Sequence, residues 1–337
     1  MLDTRPLGGI LSYEPSELVL TAGAGTSLQE VEETLAACGQ YLPFEPPHFA
    51  RGGEATLGGM VASALSGPAR ASAGGVRDYV LGIKMVNGMG QALRFGGQVM
   101  KNVAGYDVSR LLVGSLGTLG VLTEISLKVM PRPVAEATLQ FALDQTAALD
   151  LLHSWGAQPL PLNASCWTHT AQDGPALYVR LRGALAAVES ASRQMSAQAG
   201  GTVVTEQSAE VLWEGLRNQT NTFFKTPAPE HAHAQLWRLS VPQTAPPLHL
   251  SAPVLVEWHG GLRWVWADST EADSLTALAS SVGGSAAQFI QTPGAPSPQT
   301  QVDRLTQDAL MRRLKASFDP QGIFNPSLTP DANPSRP

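Results

Sequence analysis

The chain has 337 residues, a formal net charge of −6 and an apolar share of 43%, which is the composition of a folded protein long enough for two domains. No run of Lys or Arg forms a basic stripe, so the sequence disfavours nucleic-acid binding. The two cysteines, Cys38 and Cys166, stand alone and cannot by themselves hold an iron–sulfur cluster or a thiolate zinc site.

The cysteine content and the apolar pattern also bear on location. A low cysteine content suits a reducing compartment, so we expect a cytoplasmic protein. The least polar stretch, Ala55–Ala69, is broken by glycines and a proline, and the start of the chain has no apolar core of signal-peptide length. The sequence therefore predicts neither a transmembrane segment nor a secretory signal.

Short strands and turns dominate the first part of the chain. Glu17–Ala22 predicts a strand, and the capping box Ser27-Leu-Gln-Glu30 predicts the start of a helix that ends at Gly39. Further on, Tyr79–Val86 and Gln91–Phe95 predict a hairpin around the turn Asn87-Gly88. Leu119–Val129 alternates as a strand does.

The best domain boundary is the break Pro131-Arg-Pro133. Beyond it the pattern predicts an α+β layer, in which Val254–Trp258 and Leu262–Trp266 form a two-residue hairpin at Gly260-Gly261. The other elements predicted after the boundary are Thr138–Leu143, Gln145–Trp155, Ala176–Arg182, Leu185–Ala199 and Val302–Phe318.

A G-x-G at Gly23-Ala-Gly25 lies between a strand and a helix, as in a Rossmann dinucleotide site. Leu28 stands where that fingerprint needs a small residue, and the next segment, Tyr41–Pro47, is too rich in proline for a buried parallel strand. We therefore reject the Rossmann interpretation.

Three later blocks carry the stronger signal. Glu54–Gly67 contains paired glycines at the start of a small-residue helical stretch, where backbone amides could cradle a pyrophosphate. Taken alone, this block is equally typical of a tight turn and a closely packed helix. Gly74-Gly-Val-Arg-Asp-Tyr-Val-Leu-Gly82 and Lys101–Glu124 follow in order.

The order T-L-G-G, G-x-x-R-D-x-V-L-G and G-Y-D-x-x-x-L-x-x-G-S-x-G-T-L-G-V-x-T-E resembles the FAD-binding domain of the vanillyl-alcohol oxidase (PCMH) type over Leu2–Pro133. Phe318–Pro326 is similar to the C-terminal signature of that family, which returns to the flavin domain. Within the family, Glu45-Pro-Pro-His48 and Phe95-Gly-Gly97 with Val99–Asp107 look most like the E subunits of bacterial glycolate oxidase.

The resemblance implies an α+β fold with an N-terminally truncated PCMH-type FAD-binding domain and a smaller α+β cap domain. The implied divisions are an FAD-binding domain at 1–133 that lacks its first βαβ unit, a cap at 134–315, a returning C-terminal segment at 316–328 and a disordered tail at 329–337. On this interpretation the strand Glu17–Ala22 would have an unpaired edge, and an upstream βαβ unit would carry the diphosphate loop.

The resemblance also implies a site and partners. The cofactor would be non-covalent FAD, and the partners a D-type flavin catalytic subunit and an F-type iron–sulfur subunit, with glycolate as substrate of the complex and peripheral attachment to the inner membrane through those partners. By position in the motifs, the FAD diphosphate and ribityl chain would be contacted by Thr56, Leu57, Gly58, Gly59, Ala62 and Gly67, with Gly74 and Asp78 beyond. The adenine side or the flavin would be approached by Gly117, Gly120 and Val121, and the isoalloxazine region by Asn325.

Two departures from the family pattern shape the functional hypothesis. Leu116 stands where many relatives have Glu, which puts a side-chain contact to the cofactor's ribose in doubt. The motif H-x-G-D-G-N-x-H of the catalytic subunits, which supplies imidazoles for a metal or the substrate hydroxyl, has no counterpart beyond His231-Ala-His233. We interpret that pair as surface loop residues and expect no metal site.

The remaining candidate side chains stay open between structural and functional roles. His48, His153, His169 and His259 are each interpreted as hydrogen-bonded structural groups, and no catalytic residue is assigned. The tryptophans of the second domain are expected in the core or at a subunit interface. Arg238 and Arg263 could bind a carboxylate, although exposed strand arginines are commoner.

The favoured hypothesis is an FAD-binding subunit of a 2-hydroxy-acid (glycolate) oxidase that accepts or relays electrons between substrate, flavin and an iron–sulfur subunit. The isolated chain is expected to be inactive. The alternative is a non-catalytic assembly subunit with a degenerate flavin site, and a stand-alone oxidase that uses oxygen is the least supported interpretation.

Overall fold

The computed structural model describes residues 2–49, 54–97, 107–170, 174–225, 234–248, 250–290 and 304–326. Within these residues the chain divides into two compact units. The first unit takes the described parts of Met1–Gly67, Gly74–Arg132 and Asp303–Pro337, and the second takes those of Pro68–Ala73 and Pro133–Val302. The tail at 329–337 and the pair His231 and His233 lie outside the described residues.

The two units are built from the following strands and helices. The strands are β1 Ile10–Glu14, β2 Val19–Gly23, β3 Gln40–Tyr41, β4 Val80–Val86, β5 Ala92–Gly96, β6 Val121–Lys128, β7 Met130–Pro131, β8 Ala135–Phe141, β9 Leu162–Thr170, β10 Gly174–Gly183, β11 Thr202–Val203, β12 Gln235–Ser240, β13 Val254–Glu257, β14 Leu262–Ala267 and β15 Ser285–Ile290. The helices are α1 Leu28–Ala36, α2 Leu57–Ser63, α3 Arg70–Ala73, α4 Val76–Tyr79, α5 Val108–Leu111, α6 Gln145–Gly156, α7 Leu185–Ala199, α8 Glu206–Arg217, α9 Thr222–Lys225, α10 Ala272–Ser281 and α11 Arg304–Phe318.

An antiparallel sheet forms the base of the first unit, with its described strands in the order β1-β2-β6-β4-β5. Helix α1 begins as its capping box predicts, because the Ser27 hydroxyl accepts a hydrogen bond from the amide N of Glu30 at 3.1 Å. The buried face of α1 joins the same hydrophobic core as the sheet, through Leu28, Val31 and Leu35.

The predicted unpaired edge on the strand Glu17–Ala22 is wrong. The strand begins at Val19, and β2 pairs with β1 on one side and with β6 on the other. The sequence of β1, Ile-Leu-Ser-Tyr-Glu, gives only a short and partly exposed strand, so its alternation is too brief to mark it.

The glycine pair Gly23 and Gly25 is explained by packing. A Cβ on Gly23 would overlap the carbonyl oxygen of Leu7, and one on Gly25 would overlap that of Thr4. Because β2 is antiparallel to both of its neighbours, this G-x-G belongs to no βαβ unit. The rejection of a Rossmann site is confirmed.

The hairpin predicted around Asn87-Gly88 forms, but its loop is longer than two residues. Val86 pairs with Ala92, so residues 87–91 make the connection. The Asn87 side chain shapes this loop, since its Oδ1 accepts hydrogen bonds from the amides of Met89 at 3.0 Å and Gln91 at 2.9 Å.

A larger antiparallel sheet forms the base of the second unit, in the order β11-β8-β10-β9-β13-β14-β12-β15 over its described strands. Helices α6 and α7 begin at the predicted residues, and the α+β class is confirmed. The seven tryptophans are all buried, each at most 9% exposed, which confirms the core interpretation. They are Trp155, Trp167, Trp213, Trp237, Trp258, Trp264 and Trp266.

The second predicted hairpin is also misjudged in its turn. Glu257 pairs with Leu262, so the connection is residues 258–261 and not the two-residue turn Gly260-Gly261. Trp258 and His259 both have positive φ, of 54° and 56°, a conformation uncommon for residues with a side chain. No helix in the described ranges is long and apolar enough to cross a membrane.

Candidate functional site

Helix α2 carries the T-L-G-G motif at its first turn. Thr56 is the N-cap, and its hydroxyl accepts a hydrogen bond from the amide N of Gly59 at 3.2 Å. The amides of Leu57 and Gly58 donate to carbonyl oxygens of the loop after β2, at 2.9 and 2.7 Å. These amides already have acceptors within the protein, which a pyrophosphate cradled at this helix start would have to share or displace.

The two glycines of the motif have different surroundings. Gly58 packs inward, since a Cβ there would lie 2.9 Å from the carbonyl oxygen of Ala24. Gly59 is exposed, and a Cβ there would approach only the cap hydroxyl, at 3.2 Å. Gly59, Ala62 and Ser63 share one side of the helix. We call this side the α2 face, a smooth surface on which a ligand can approach the helix backbone closely.

A turn after α5 lies against the C-terminal end of α2. The amide N of Gly114 donates to the carbonyl oxygen of Val61 at 3.0 Å, and that of Leu116 donates to Ala62 at 2.8 Å. Leu116 and Gly117 both have positive φ, of 51° and 67°. The conformation suits glycine but strains leucine, and the Leu116 side chain is 49% exposed. The strain is held in place by the hydrogen bonds to α2.

Asn325 reaches this turn from the other end of the sequence. Its Nδ2 donates to the carbonyl oxygen of Leu116 at 2.7 Å, across 209 residues of sequence. A Cβ added to Gly117 would lie only 3.1 Å from the same Nδ2. The structure therefore brings together Ala62, Gly117 and Asn325, three of the residues predicted as FAD contacts.

A buried ion pair anchors the C-terminal segment at this position. The Lys315 ammonium donates to Asp319 Oδ2 at 2.5 Å, to the carbonyl oxygen of Thr118 at 2.6 Å and to that of Phe324 at 2.8 Å. Asp319 also accepts the amides of Ile323 at 3.0 Å and Phe324 at 2.8 Å. Burial alone would raise the pKa of Asp319, but these donors hold it below its usual value.

Three other predicted contacts are explained by local structure. Gly67 is buried, and a Cβ there would overlap the carbonyl oxygen of Glu45. Gly74 has a positive φ of 92°. Asp78 is exposed, and its carboxylate accepts the amide N of Gly75 at 2.8 Å at the start of α4.

The last two predicted contacts lie at the start of β6. Gly120 is buried with φ of 155°, and a Cβ there would clash with Met85 and the carbonyl oxygen of Val86. Val121 is partly buried and pairs with Val86. Packing therefore accounts for the glycine at this position without a ligand.

A surface cleft opens at the opposite end of α2. Its volume is about 420 Å³, and it lies between the start of the chain, the loop after β2 and the N-cap of α2. Its lining residues include Arg5, Gly8, Thr26, Glu30 and Thr56. An elongated ligand that lay along the α2 face would connect this cleft to the turn at Leu116 and Gly117.

Comparison with known proteins identifies the family. A family model of the FAD binding domain matches residues 1–96, and one of the C-terminal domain of FAD linked oxidases matches residues 305–328. The chain is 43% identical over 326 residues to the glycolate oxidase subunit GlcE of Escherichia coli (strain K12), and the match covers 96% of this chain and 85% of that protein. The chain belongs to the GlcE family. The resemblance to a PCMH-type flavoprotein is confirmed.

One more distant relative resembles this GlcE-family chain in sequence, and another protein resembles it in fold. The glycolate oxidase subunit GlcD of Bacillus subtilis (strain 168) is 28% identical over 241 residues, which are 64% of this chain and 50% of GlcD. A solved structure of alkyldihydroxyacetonephosphate synthase has a TM-score of 0.64 at 16% identity, over 96% of this chain and 67% of that protein. The structural likeness confirms the predicted fold class.

FAD is the cofactor of this GlcE-family chain. The described residues fit it where the backbone is accessible, since Gly59 is exposed and a Cβ there would approach only the Thr56 hydroxyl, at 3.2 Å. The bound flavin supplies the capacity to accept and pass on electrons. The chain's own residues supply the surface, the turn and the anchored C-terminal segment.

Sequence reasoning missed Lys315 and Asp319. Their i, i+4 spacing at the end of α11, directly before the C-terminal signature, was the available signal. Three of the four histidines predicted to be hydrogen-bonded are so: His48 contacts Glu32 at 3.0 Å, His153 contacts the carbonyl oxygen of Gln243, and His259 bonds to two serines. His169 is exposed, and its role stays a prediction.

Proposed function

We propose that this chain is the FAD-binding subunit of a multi-subunit glycolate oxidase. In this complex a D-type flavin subunit oxidises the 2-hydroxy acid, and the flavin of this chain relays electrons toward an F-type iron–sulfur subunit. The 43% identity to GlcE supports the role. The two isolated cysteines support the placement of iron–sulfur centres on a partner.

One observation carries the proposal, namely that the flavin site is assembled from distant segments. The turn at Leu116 and Gly117 is fixed to α2 on one side and to Asn325 on the other. A buried ion pair holds the C-terminal segment in that position. Such a rigid arrangement of backbone is suited to holding a planar cofactor rather than to acid–base chemistry.

The proposed contacts follow from this arrangement. FAD would extend along the α2 face, with Gly59 and Ala62 beneath it. Gly117 and Asn325 would lie at the isoalloxazine region. Thr56, Leu57, Gly58, Gly67, Gly74, Asp78, Gly120 and Val121 complete the proposed set, and several of these would act through packing of the loops rather than by direct contact.

We place the oxidation of the hydroxy acid on a partner, because this chain lacks the motif H-x-G-D-G-N-x-H that would take the hydroxyl proton. The FAD is proposed to be non-covalent, since no histidine or cysteine falls at a position that the family resemblance places beside the flavin ring. The isolated chain would then bind flavin without oxidising glycolate.

The experiment is to purify the chain alone and with its D- and F-type partners. Visible spectra give the flavin content, acid precipitation separates free from covalent flavin, and reduction of a dye by glycolate reports turnover. We expect yellow colour in the acid supernatant and turnover only with partners. Steady dye reduction by the chain alone, or colour in the acid pellet, would contradict the proposal.

A second candidate is a non-catalytic assembly subunit. Leu116 favours it, because an exposed apolar side chain stands at the turn, where the family resemblance leads us to expect a glutamate. In that case the chain would be colourless even in the complex, and the complex would keep its activity when Gly59→Val blocks the α2 face. Loss of activity with that variant would exclude the scaffold role.

A further inference from the structure

The second unit contains an arginine whose buried nitrogen has no partner. Arg238 lies on β12 and pairs with Trp264 of β14. Leu236, two residues earlier on the same face of the strand, belongs to an apolar cluster with Trp264. Its Nε is enclosed and makes no hydrogen bond. A buried donor without an acceptor is costly, so each such case calls for an explanation.

The other buried arginines of this sheet are satisfied. Arg263 is fully buried, and its guanidinium donates to the carbonyl oxygens of Pro246 at 2.6 Å and Ala245 at 2.8 Å. Arg180 donates to Asn163 Oδ1 at 2.7 Å. Arg263 is buried and Arg238 is half-buried. The expectation that these two strand arginines are exposed is therefore wrong. Arg238 alone among these three has a buried nitrogen that lacks an acceptor.

A second guanidinium shares the same aromatic ring. The Arg238 guanidinium lies 5.0 Å from the centre of the Trp258 ring, and that of Arg70 lies 4.6 Å from it. Burial, together with the positive charge of Arg70, lowers the pKa of Arg238 to about 10, so Arg238 is still charged at neutral pH. Two like charges against one ring repel each other unless an anion lies between or beside them.

Among the described residues, one carboxylate acts on the charge of Arg238. Glu257 is buried, and its Oε2 accepts a hydrogen bond from the Trp264 indole at 2.8 Å. Counted over these three described residues, Arg70 and Arg238 at +1 and Glu257 at −1 give a net charge of +1. This balance fits a monoanion better than a phosphate dianion.

The turn beside these arginines is held in a strained form. Trp258 and His259 have positive φ, and Gly260 follows with φ of 98°. His259 is fixed by hydrogen bonds of 2.9 Å to the Ser72 hydroxyl and 3.0 Å to that of Ser165. Strain that surrounding contacts maintain is typical of binding sites, and here it places the Trp258 ring against both arginines.

We propose that Arg238, Arg70 and Trp258 form a site for a small monocarboxylate. The guanidinium of Arg238 would bind the carboxylate, because its planar fork matches that group. The indole would pack against the ligand's carbon atoms. Arg238 is only partly accessible, which favours a small molecule over the side chain of a partner protein. The proposed function assigns no carboxylate site to this chain, so this site goes beyond it. Only the choice of glycolate as the ligand rests on the proposed function.

The test is calorimetric titration of the full chain with sodium glycolate, acetate, ethylene glycol and inorganic phosphate. We expect glycolate and acetate to bind, and ethylene glycol and phosphate to bind at least about tenfold more weakly. Equal binding of ethylene glycol, or of phosphate, would overturn the assignment of a carboxylate site.

Variants locate the site. Arg238→Gln should weaken glycolate binding about tenfold or more, Arg70→Gln by a smaller factor, and the exposed control Arg193→Gln not at all. Arg238→Lys, which keeps the charge, should retain part of the affinity. If Arg238→Gln does not fold, Arg238→Met keeps the apolar stem and carries the same test. Unchanged glycolate binding in either variant would overturn the proposal.

The FAD content of each variant separates this site from the proposed function. We expect Arg238→Gln to keep wild-type flavin content while losing glycolate binding. A colourless wild-type chain that still binds glycolate through Arg238 would overturn the flavin role alone. A yellow chain in which Arg238 does not affect glycolate binding would overturn the carboxylate site alone.

Discussion

The Lys315 ammonium and the Asp319 carboxylate form a buried pair at 2.5 Å, and the two side chains are only 6% and 0% exposed. Through Thr118 and Phe324 the pair joins the end of α11 to the turn that carries Gly117 and to the segment that carries Asn325. Two residues outside the proposed contact surface thus hold together the segments of the proposed flavin site.

Asp319→Asn should destabilise the fold by about 3–5 kcal/mol, because it leaves the buried Lys315 charge without a counter-charge. Urea unfolding would measure the loss, and flavin content should fall with it as the C-terminal segment loosens. The matched control is Asp3→Asn, which breaks the exposed pair with Arg5 and should leave unfolding unchanged. Equal midpoints for all three proteins would show that the buried pair does not anchor the segment.

Replacement of the two glycines of α2 should separate packing from cofactor binding. Gly58→Ala should lower stability by about 1–3 kcal/mol, because its Cβ would lie 2.9 Å from the carbonyl oxygen of Ala24. Gly59→Ala should keep or raise stability, by up to about 1 kcal/mol, because alanine favours the helix. Its methyl group would stand on the α2 face and reduce bound FAD. Full flavin content in a well-folded Gly59→Ala protein would contradict the assigned surface.

His259 should make stability depend on pH. Burial lowers its pKa from 6.5 to about 4, so the unfolded chain binds more protons between these values. Stability is therefore fully present above about pH 6.5 and is lost as pH falls toward 4, by up to about 3 kcal/mol.

Urea unfolding at pH 7, 6 and 5 would measure this loss. His259→Asn, which tolerates the left-handed backbone at this position, should show a flatter profile than the wild type. Parallel profiles for the two proteins would mean that His259 does not titrate as inferred.

The two cysteines should react at different rates with a thiol reagent. Cys38 is exposed, whereas Cys166 is buried and its pKa is raised by that burial. We expect one fast thiol in the native protein, which Cys38→Ser removes and Cys166→Ser does not. The second thiol should react only as the protein unfolds. Two fast thiols would show that β9 is open to solvent in the native state.

Local patterns predicted the elements that depend on neighbouring residues. The capping box at Ser27, the helices α6 and α7 and the hairpin of β4 and β5 all rest on contacts within a few residues, so their spacing alone marks them. The turns were misjudged, because loop length depends on strand register. Register is set by packing of whole strands.

The sequence by itself determined the family, the cofactor and the class of fold, because these follow from ordered motifs and from the periodicity of apolar residues. Only the tertiary structure decided which glycine of the T-L-G-G motif packs inward, and that its helix amides are already bonded. It also decided that Lys315 and Asn325 meet a turn some two hundred residues earlier in the chain. Burial, charge balance and close approach arise from segments that are distant in sequence, and no local pattern encodes them.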